Sequence, residues 1–318
     1  MTVGVGTLGV VVLAYGSDGD HSELLASLLA QGVTASDVAI VHNPRYLSEP
    51  DLIPRYEGVR VIRAAANGGY SGGMNLGVRH HLGRGASDIL LLTYDVRLGP
   101  QAIRLLLAAS NRALTFGILG PSLWWPGQQR PFSFGGTVER KGVVGHRDLR
   151  PQCDADRIAE CDWVDGAVMF VRSEVFRAVG LLDERFFMYF EETELCLRAS
   201  NAGWRIGVVL DAVAEHNPGS AQRRGSYQYL RTRNGLAYAW MAFGAPGLVL
   251  ACCRRVLECI DLIGASLNPR LSLNTRGMAQ IELAATWLGI QDFIRRRWGP
   301  PPSTLAGLGD VHVEQLAG

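Results

Sequence analysis

Lysine is almost missing from this chain: Lys141 is the only one in 318 residues, so arginine supplies nearly every positive charge. A forked, permanently charged guanidinium suits phosphate, although a composition bias of the source genome would give the same count. Net charge is also small, +1 from 31 Lys+Arg against 30 Asp+Glu. That balance argues against nucleic acid or a strongly acidic partner held by a global field. Six cysteines occur, at 153, 161, 196, 252, 253 and 259, and no C-x-x-C pair is among them. Zinc and redox motifs are therefore excluded, and reduced thiols of a cytosolic protein are expected. The first apolar run, in MTVGVGTLGVVVLAYG, has no basic segment before it. This predicts a strand rather than a signal peptide, and a site that faces the cytosol. Internal repeats, low-complexity tracts, a P-loop lysine and Rossmann glycine spacing are missing too, which weakens kinase and dehydrogenase readings.

What is present is an alternation of short apolar strands and amphipathic helices. Strands are expected at Val10–Ala14, Val38–Val41, Val59–Arg63, Asp88–Thr93, Gly117–Leu123, Val168–Val171 and Arg205–Leu210. Helices are expected at 22–31, 71–82, 98–113 and 191–202, with a meander of loops and short strands between Trp124 and Cys161. The all-apolar ILLL run after Asp88 is typical of a parallel strand covered on both faces. Such alternation predicts an α/β fold with a mostly parallel central sheet, and ligands beyond the carboxyl ends of its strands. Residues 1–226 are expected to form the catalytic domain and 227–318 a helical region with a loosely ordered tail. The uncharged run Leu236–Cys253 is about as long as a membrane span of roughly 18 residues. Gly244, Pro246 and Gly247 interrupt it, so a packed helix pair is the expectation, with a peripheral membrane contact or a homodimer through these helices as intermediate cases.

The motifs are more specific. WVDGAVMFVRSEVFRAVGLLDERFFMYFEETELCLRASNAGWRIGVVLDAVAEHNPGS places Gly166-Ala167, Asp183-Glu184, Phe186-Phe187, Tyr189, Glu191-Glu192, Glu194, Arg198, Gly203 and His216 in one ordered series. Upstream lie the glycine-rich element Asn67-Gly68-Gly69-Tyr70-Ser71-Gly72-Gly73-Met74-Asn75-Leu76-Gly77 and the strand end Thr93-Tyr94-Asp95. This series resembles family 2 glycosyltransferases, and within them the rhamnosyltransferase-like branch, over residues 8 to 240.

The resemblance implies a GT-A nucleotide-binding fold and an inverting glycosyltransferase. Its donor would be a nucleotide-diphosphate hexose or deoxyhexose, dTDP or UDP favoured, and its acceptor a hydroxyl of a glycan, a lipid-linked intermediate or a small molecule. Asp95 would bind Mg²⁺ or Mn²⁺ together with His216, although relatives carry more acidic residues where this chain has Thr93-Tyr94. Tyr15, Asn43, Asn67, Gly69, Asn75, Asp165 and Gly166 would line the donor. His42 and Gly16 depart from the usual polar residues there. Asp183, Glu184 and Trp163 would meet the acceptor. Inversion needs a base for the acceptor proton while the departing diphosphate is neutralised. Glu192 is the first choice for that base and Glu191 the alternative.

Blander readings accompany several of these residues. Asn43-Pro44 would make a simple turn, Asp165 would cap one, and Arg198 would pair with the neighbouring carboxylates. Arg231, Arg233 and Asn234 would either close over the diphosphate or lie on a solvated helix face. A catalytically inactive nucleotide-sugar or glycan binding subunit is the competing function, supported by the Thr93-Tyr94-Asp95 departure. A nucleotidyltransferase is a third.

Overall fold

The computed structural model describes residues 7–16, 21–45, 56–128, 130–139, 143–216 and 224–306. The chain divides into two compact units. The first comprises Met1–Val138, Val144–Glu184 and Glu191–Asn217; the second comprises Glu139–Val143, Arg185–Phe190 and Pro218–Gly318.

In chain order, the first unit contains β1 (Leu8–Tyr15), α1 (Ser22–Ala30), β2 (Val38–Asn43), β3 (Arg60–Arg63), α2 (Gly69–Gly83), β4 (Asp88–Thr93), β5 (Arg97–Leu98) and α3 (Ala102–Arg112). Then follow β6 (Phe116–Trp124), β7 (Pro131–Ser133), β8 (Gly136–Val138), β9 (Val144–His146), β10 (Ile158–Glu160), β11 (Val168–Arg172), α4 (Ser173–Val179), α5 (Glu191–Asn201) and β12 (Arg205–Glu215). The large sheet runs β10-β12-β6-β11-β4-β1-β2-β3, with β5 on β12 and β7 on β6. Parallel ladders join β3, β2, β1 and β4, and also β6 and β12. β11 lies antiparallel between β4 and β6. Each strand read from the sequence is present, and the meander resolves into β7, the β8–β9 hairpin and β10.

This order explains where a ligand can enter. β1 leads outward to β2 and β3 on one side, whereas β4 pairs on its other side. Connections therefore diverge beyond the carboxyl ends of β1 and β4, the place where such sheets bind ligands. Residues Ile89 to Leu92 of β4 are fully buried, so the strand is fixed and its last residues are held at that end of the sheet.

Two glycines of the glycine-rich element serve packing rather than ligand approach. A Cβ on Gly73 would lie 2.4 Å from Leu13 Cδ1, and one on Gly77 would lie 2.3 Å from Val11 Cγ1. α2 thus rests directly on β1. Gly69, with φ +68, supplies the left-handed residue that starts the helix, and Gly72 faces open space.

In the second unit, α6 (Arg224–Leu267) and α7 (Leu273–Ile294) pack together, followed by α8 (Ser303–Ala306). The run Leu236–Cys253 lies inside α6. Gly244, at φ 63 and ψ −151, breaks the helix there. Before the break Leu236 to Ala239 are buried, and after it Val249 and Leu250 are exposed. By length and composition α6 is apolar enough to cross a membrane, and 28% of its most apolar window is buried.

Candidate active site

Asp95 follows the end of β4, where the Tyr94 amide donates to the Leu13 carbonyl and ties the turn to β1 (3.2 Å). His216 follows the end of β12, its amide donating to the Trp124 carbonyl (3.1 Å). The sheet brings the two side chains together, His216 Nε2 standing 3.5 Å from Asp95 Oδ2. Burial alone would raise the Asp95 pKa, but the hydrogen bond and charge of His216 outweigh it and leave the carboxyl lowered. Burial likewise opposes the charge on His216. The bond to Asp95 and the carboxylate of Asp165 prevail, and the imidazole is raised.

The second carboxylate, Asp165, sits before Gly166 in the turn that opens β11. Its Oδ1 accepts from the Ala167 amide (2.8 Å), which is the capping role open to it in the sequence. Its Oδ2 lies 3.8 Å from His146 Nε2 on β9. The His146 ring packs on Trp163 with centroids 4.8 Å apart. Trp163 is itself seated on Gly136, where a Cβ would come within 1.9 Å of the indole. Phe132 lies against both His146 and His216, at 5.8 and 6.4 Å between centroids. Asp165 therefore stands in an aromatic and imidazole wall that reaches to the Asp95–His216 pair.

On its other side Asp165 approaches the acids of α5. Glu191 and Glu192 are the first two residues of that helix, where exposed amides favour negative charge. Glu191 is buried, 4% exposed, and its Oε2 has no hydrogen-bond partner. Burial first, then the charges of Glu192 and Asp165, push its pKa well above the usual carboxylate range. Glu192 is only half-buried. Tyr70, on α2, donates its hydroxyl hydrogen bond to the Gly166 carbonyl. Burial and then the charges of Glu191, Glu192 and Asp165 raise this phenol well above its ordinary value. Asp165 thus acts electrostatically on both His216 and Glu191. Asp165 is the group through which the Asp95–His216 pair and the α5 acids are electrostatically linked.

Several residues expected to line the donor make hydrogen bonds within the scaffold. The Asn43 side chain donates to Asn67 Oδ1 (3.1 Å) and the Gly69 carbonyl (3.0 Å), and its Oδ1 accepts from the Gly68 amide (3.0 Å). Asn67 Oδ1 also accepts from the Gly69 amide (2.9 Å). Asn75 donates to the Leu182 carbonyl (2.8 Å) and Glu184 Oε1 (2.9 Å), and accepts from the Leu182 amide (3.1 Å). Glu184 is further held by Arg79 at 3.0 Å. The Asn75 bond, ahead of the opposing effect of burial and the help of Arg79, lowers its pKa. Asp183, half-buried, lies in the same turn. Tyr15 ends β1 beside Asn43, with the Arg45 guanidinium 5.7 Å from its ring centroid.

In the second unit, neither of the two roles considered for Arg233 and Asn234 holds. Both are fully buried. Asn234 Nδ2 donates to the carbonyls of Phe186 (2.9 Å), Met188 (2.8 Å) and Tyr189 (2.8 Å), and Arg233 donates to those of Phe186 (3.1 Å) and Gly299 (2.8 Å). They stabilise a segment in which Phe187, Tyr189 and Phe190 all have positive φ, 66, 69 and 75. Arg231 pairs with Glu258 at 2.9 Å. In the first unit, Arg198 forms a bidentate pair with Glu194 at 2.6 and 2.7 Å.

Among the described residues no group of three or more His, Cys, Asp or Glu is arranged to hold an ion by itself. Asp95 and His216 offer two ligands, and His216 Nδ1 is buried with no hydrogen-bond partner. This donor set fits a divalent ion that takes its remaining ligands from phosphate oxygens and water.

The model of the family described as glycosyltransferase like family 2 matches residues 6–237. The chain belongs to that family. The transferase is 30% identical over 302 residues to the N-acetylglucosaminyl-diphospho-decaprenol L-rhamnosyltransferase of Mycobacterium tuberculosis, across 87% of this chain and 97% of that one. It is 28% identical over 240 residues to the low-salt glycan biosynthesis hexosyltransferase Agl10 of Haloferax volcanii, across 71% and 73%. The mycobacterial relative and the dTDP-rhamnosyl transferase RfbF of Shigella flexneri, 24% identical over 179 residues across 56% of this chain and 59% of that one, place it in the rhamnosyltransferase-like branch. Solved structures share the fold. Staphylococcus aureus TarS 1–349 in complex with UDP has a TM-score of 0.51 at 16% identity, over 95% of this chain and 83% of that one. GalNAc-T7 with UDP, GalNAc and Mn²⁺ has a TM-score of 0.55 at 12% identity, over 94% and 59%. The GT-A fold expected from the sequence is the one observed.

Tyr70 and His146 are the site residues that sequence reasoning missed. Tyr70 occupies the aromatic position of the glycine-rich element, which was a usable signal. His146 lies in a short hairpin with no motif around it.

Proposed function

We propose that the transferase moves a deoxyhexose or hexose, with inversion, from a dTDP- or UDP-sugar to a hydroxyl of a lipid-linked or other glycan acceptor. Small-molecule acceptors are the further class compatible with the site. The observation that carries this reading is the pairing of Asp95 with His216 at 3.5 Å, beside the Asp165 turn, in a chain whose α5 opens on Glu191-Glu192 and whose family match covers residues 6–237. Inverting displacement needs a phosphate-binding group and a base on opposite sides of one sugar carbon. The relatives named for L-rhamnose support a deoxyhexose donor, and the decaprenol-linked acceptor of the mycobacterial relative supports a lipid-linked one.

In this mechanism Asp95 and His216 would hold Mg²⁺ or Mn²⁺, which would supply positive charge against the leaving diphosphate. The loop held by Asn43 and Asn67 presents Gly69 and Gly72 toward the donor, and Tyr15 borders the nucleotide. Asp165 and Gly166 border the sugar, Asp165 orienting a hydroxyl. Trp163, Asp183 and Glu184 shape the acceptor side. Glu192 takes the acceptor proton. Burial and the neighbouring carboxylates disfavour the ionised form of Glu191. This supports Glu192, the choice the family resemblance implies, over Glu191 as the base. The enzyme is read as cytosolic, with 1–226 as its catalytic domain, and its C-terminal helices as a contact surface for a second subunit or a membrane.

The test is transfer from a panel of dTDP-, UDP- and GDP-sugars to a polyprenyl-diphosphate-linked sugar, with and without Mn²⁺, followed by NMR of the new linkage. An inverted anomer formed only with metal and with dTDP- or UDP-sugar is the expected result. Retention, or metal-independent transfer, would refute the mechanism.

A further inference from the structure

Beyond the break at Gly244, α6 carries a stripe of exposed apolar residues whose spacing is regular. Val249, Cys253, Val256, Ile260, Ile263 and Leu267 follow one another at alternating intervals of four and three residues, and all are exposed. That spacing is the seam of a two-helix coiled coil, not the pattern of a helix buried on all sides. Leu250 and Leu257 widen the stripe by one position. The opposite face of the same turns is occupied: Glu258 pairs with Arg231 at 2.9 Å and with Arg255 at 2.5 Å, and Ser266 is buried. The stripe therefore points away from the unit's own packing.

We infer that this stripe is a dimer interface, on which α6 of a second copy of the chain lies antiparallel. About a two-fold axis midway between Val256 and Ile260, Val256 faces the second copy's Ile260, Cys253 its Ile263, and Val249 its Leu267. Each layer then joins the two kinds of seam position, and the surface is complementary to itself, as a two-fold contact requires. Charge selects the same direction. Arg254 and exposed Asp261 flank the stripe, and the antiparallel arrangement sets Arg254 of one copy beside Asp261 of the other. A parallel pair would place Arg254 and Asp261 of the two copies on opposite sides of the seam, and a bilayer would have to take up Asp261. The apolar side chains of the stripe, 43% exposed at Leu250 to 71% at Leu267, present area of the same order as the roughly 800 Å² that each partner gives to a stable interface. The inference rests on the second unit alone and is independent of the catalytic reading.

Sedimentation velocity of the full chain across a micromolar dilution series tests it. A dimer is expected for the wild type. Ile260→Glu should be monomeric, with an unchanged circular dichroism spectrum and transfer activity. Arg254→Asp should weaken dimerisation about tenfold, about 1.4 kcal/mol, and Arg254→Asp combined with Asp261→Arg should restore it. A wild type that stays monomeric, or a dimer indifferent to Ile260→Glu, would overturn the proposal. So would a monomer that floats with phosphatidylglycerol vesicles and loses this with Ile260→Glu, which would assign the stripe to lipid.

Discussion

The Tyr70 hydroxyl donates to the Gly166 carbonyl across 96 residues of sequence, joining the helix of the glycine-rich element to the turn that carries Asp165. Removing that hydroxyl leaves a carbonyl without its donor beside three carboxylates. Tyr70→Phe should cost about 1–3 kcal/mol in stability and raise the donor KM, because the Asp165 turn is no longer held. Urea denaturation and donor titration measure both. Unchanged values in both would deny the bond a role.

The two acids at the start of α5 should behave differently. Glu192→Gln should keep donor affinity and lose about 10²–10⁴-fold in kcat, the usual contribution of a general base. Glu191→Gln should retain most of its activity, since burial and the neighbouring carboxylates already disfavour the ionised form of the native side chain. Its signature is instead in stability. The unfolded carboxyl ionises near 4.5, whereas the folded one holds its proton to higher pH. The native state then binds more protons than the unfolded state in that window, so the wild type loses stability as pH rises through it. The advantage of Glu191→Gln over wild type in thermal melts should therefore grow from about pH 4.5 upward and level off above the folded pKa. A constant difference would contradict the assignment.

Asp95→Ala should abolish the Mn²⁺-dependent part of donor binding. His216→Ala should weaken metal affinity on the order of 10–100-fold. Thermal shift with dTDP or UDP, with and without Mn²⁺, reads both, because a ligand that binds only the folded state raises its stability. Equal shifts in wild type and Asp95→Ala would remove the ion from this site.

Glycines of the same element should separate by role. Gly73→Ala forces a methyl onto Leu13 and should cost about 1–3 kcal/mol in stability. Gly72→Ala meets open space, so its melting temperature should change little while the donor KM rises. A stable, fully active Gly72→Ala would move the donor away from this loop.

The sequence made the strand order's raw material legible, since an all-apolar segment such as Ile89–Leu92 leaves little choice but a buried strand. Asp95 was readable from its place just after a buried apolar strand, and His216 from its place at the end of the ordered series that resembles the family. The roles of Asn43, Asn67 and Asn75 were not, because an asparagine that saturates backbone groups 26 or 107 residues away has the same local sequence as one that meets a ligand. Arg233 and Asn234 were misread for a similar reason. Their partners are backbone carbonyls of a turn 45 to 48 residues earlier, and carbonyls leave no mark in a sequence. Helix spacing gave the apolar positions of α6 but not which of them the neighbouring α7 would cover.

The placement of β11 has a consequence for how the chain acquires its shape. β4 and β6 are close in sequence, yet they cannot meet, because residues 168–172 must come between them. A nascent chain that ends before Val168 carries an open, fully apolar β4 edge with nothing to close it. Such an edge recruits foreign strands, and its long-range closure is slow. Synthesis through Arg172 therefore closes the β4 edge, whereas the outer edge of β6 waits for residues 205–215 of β12.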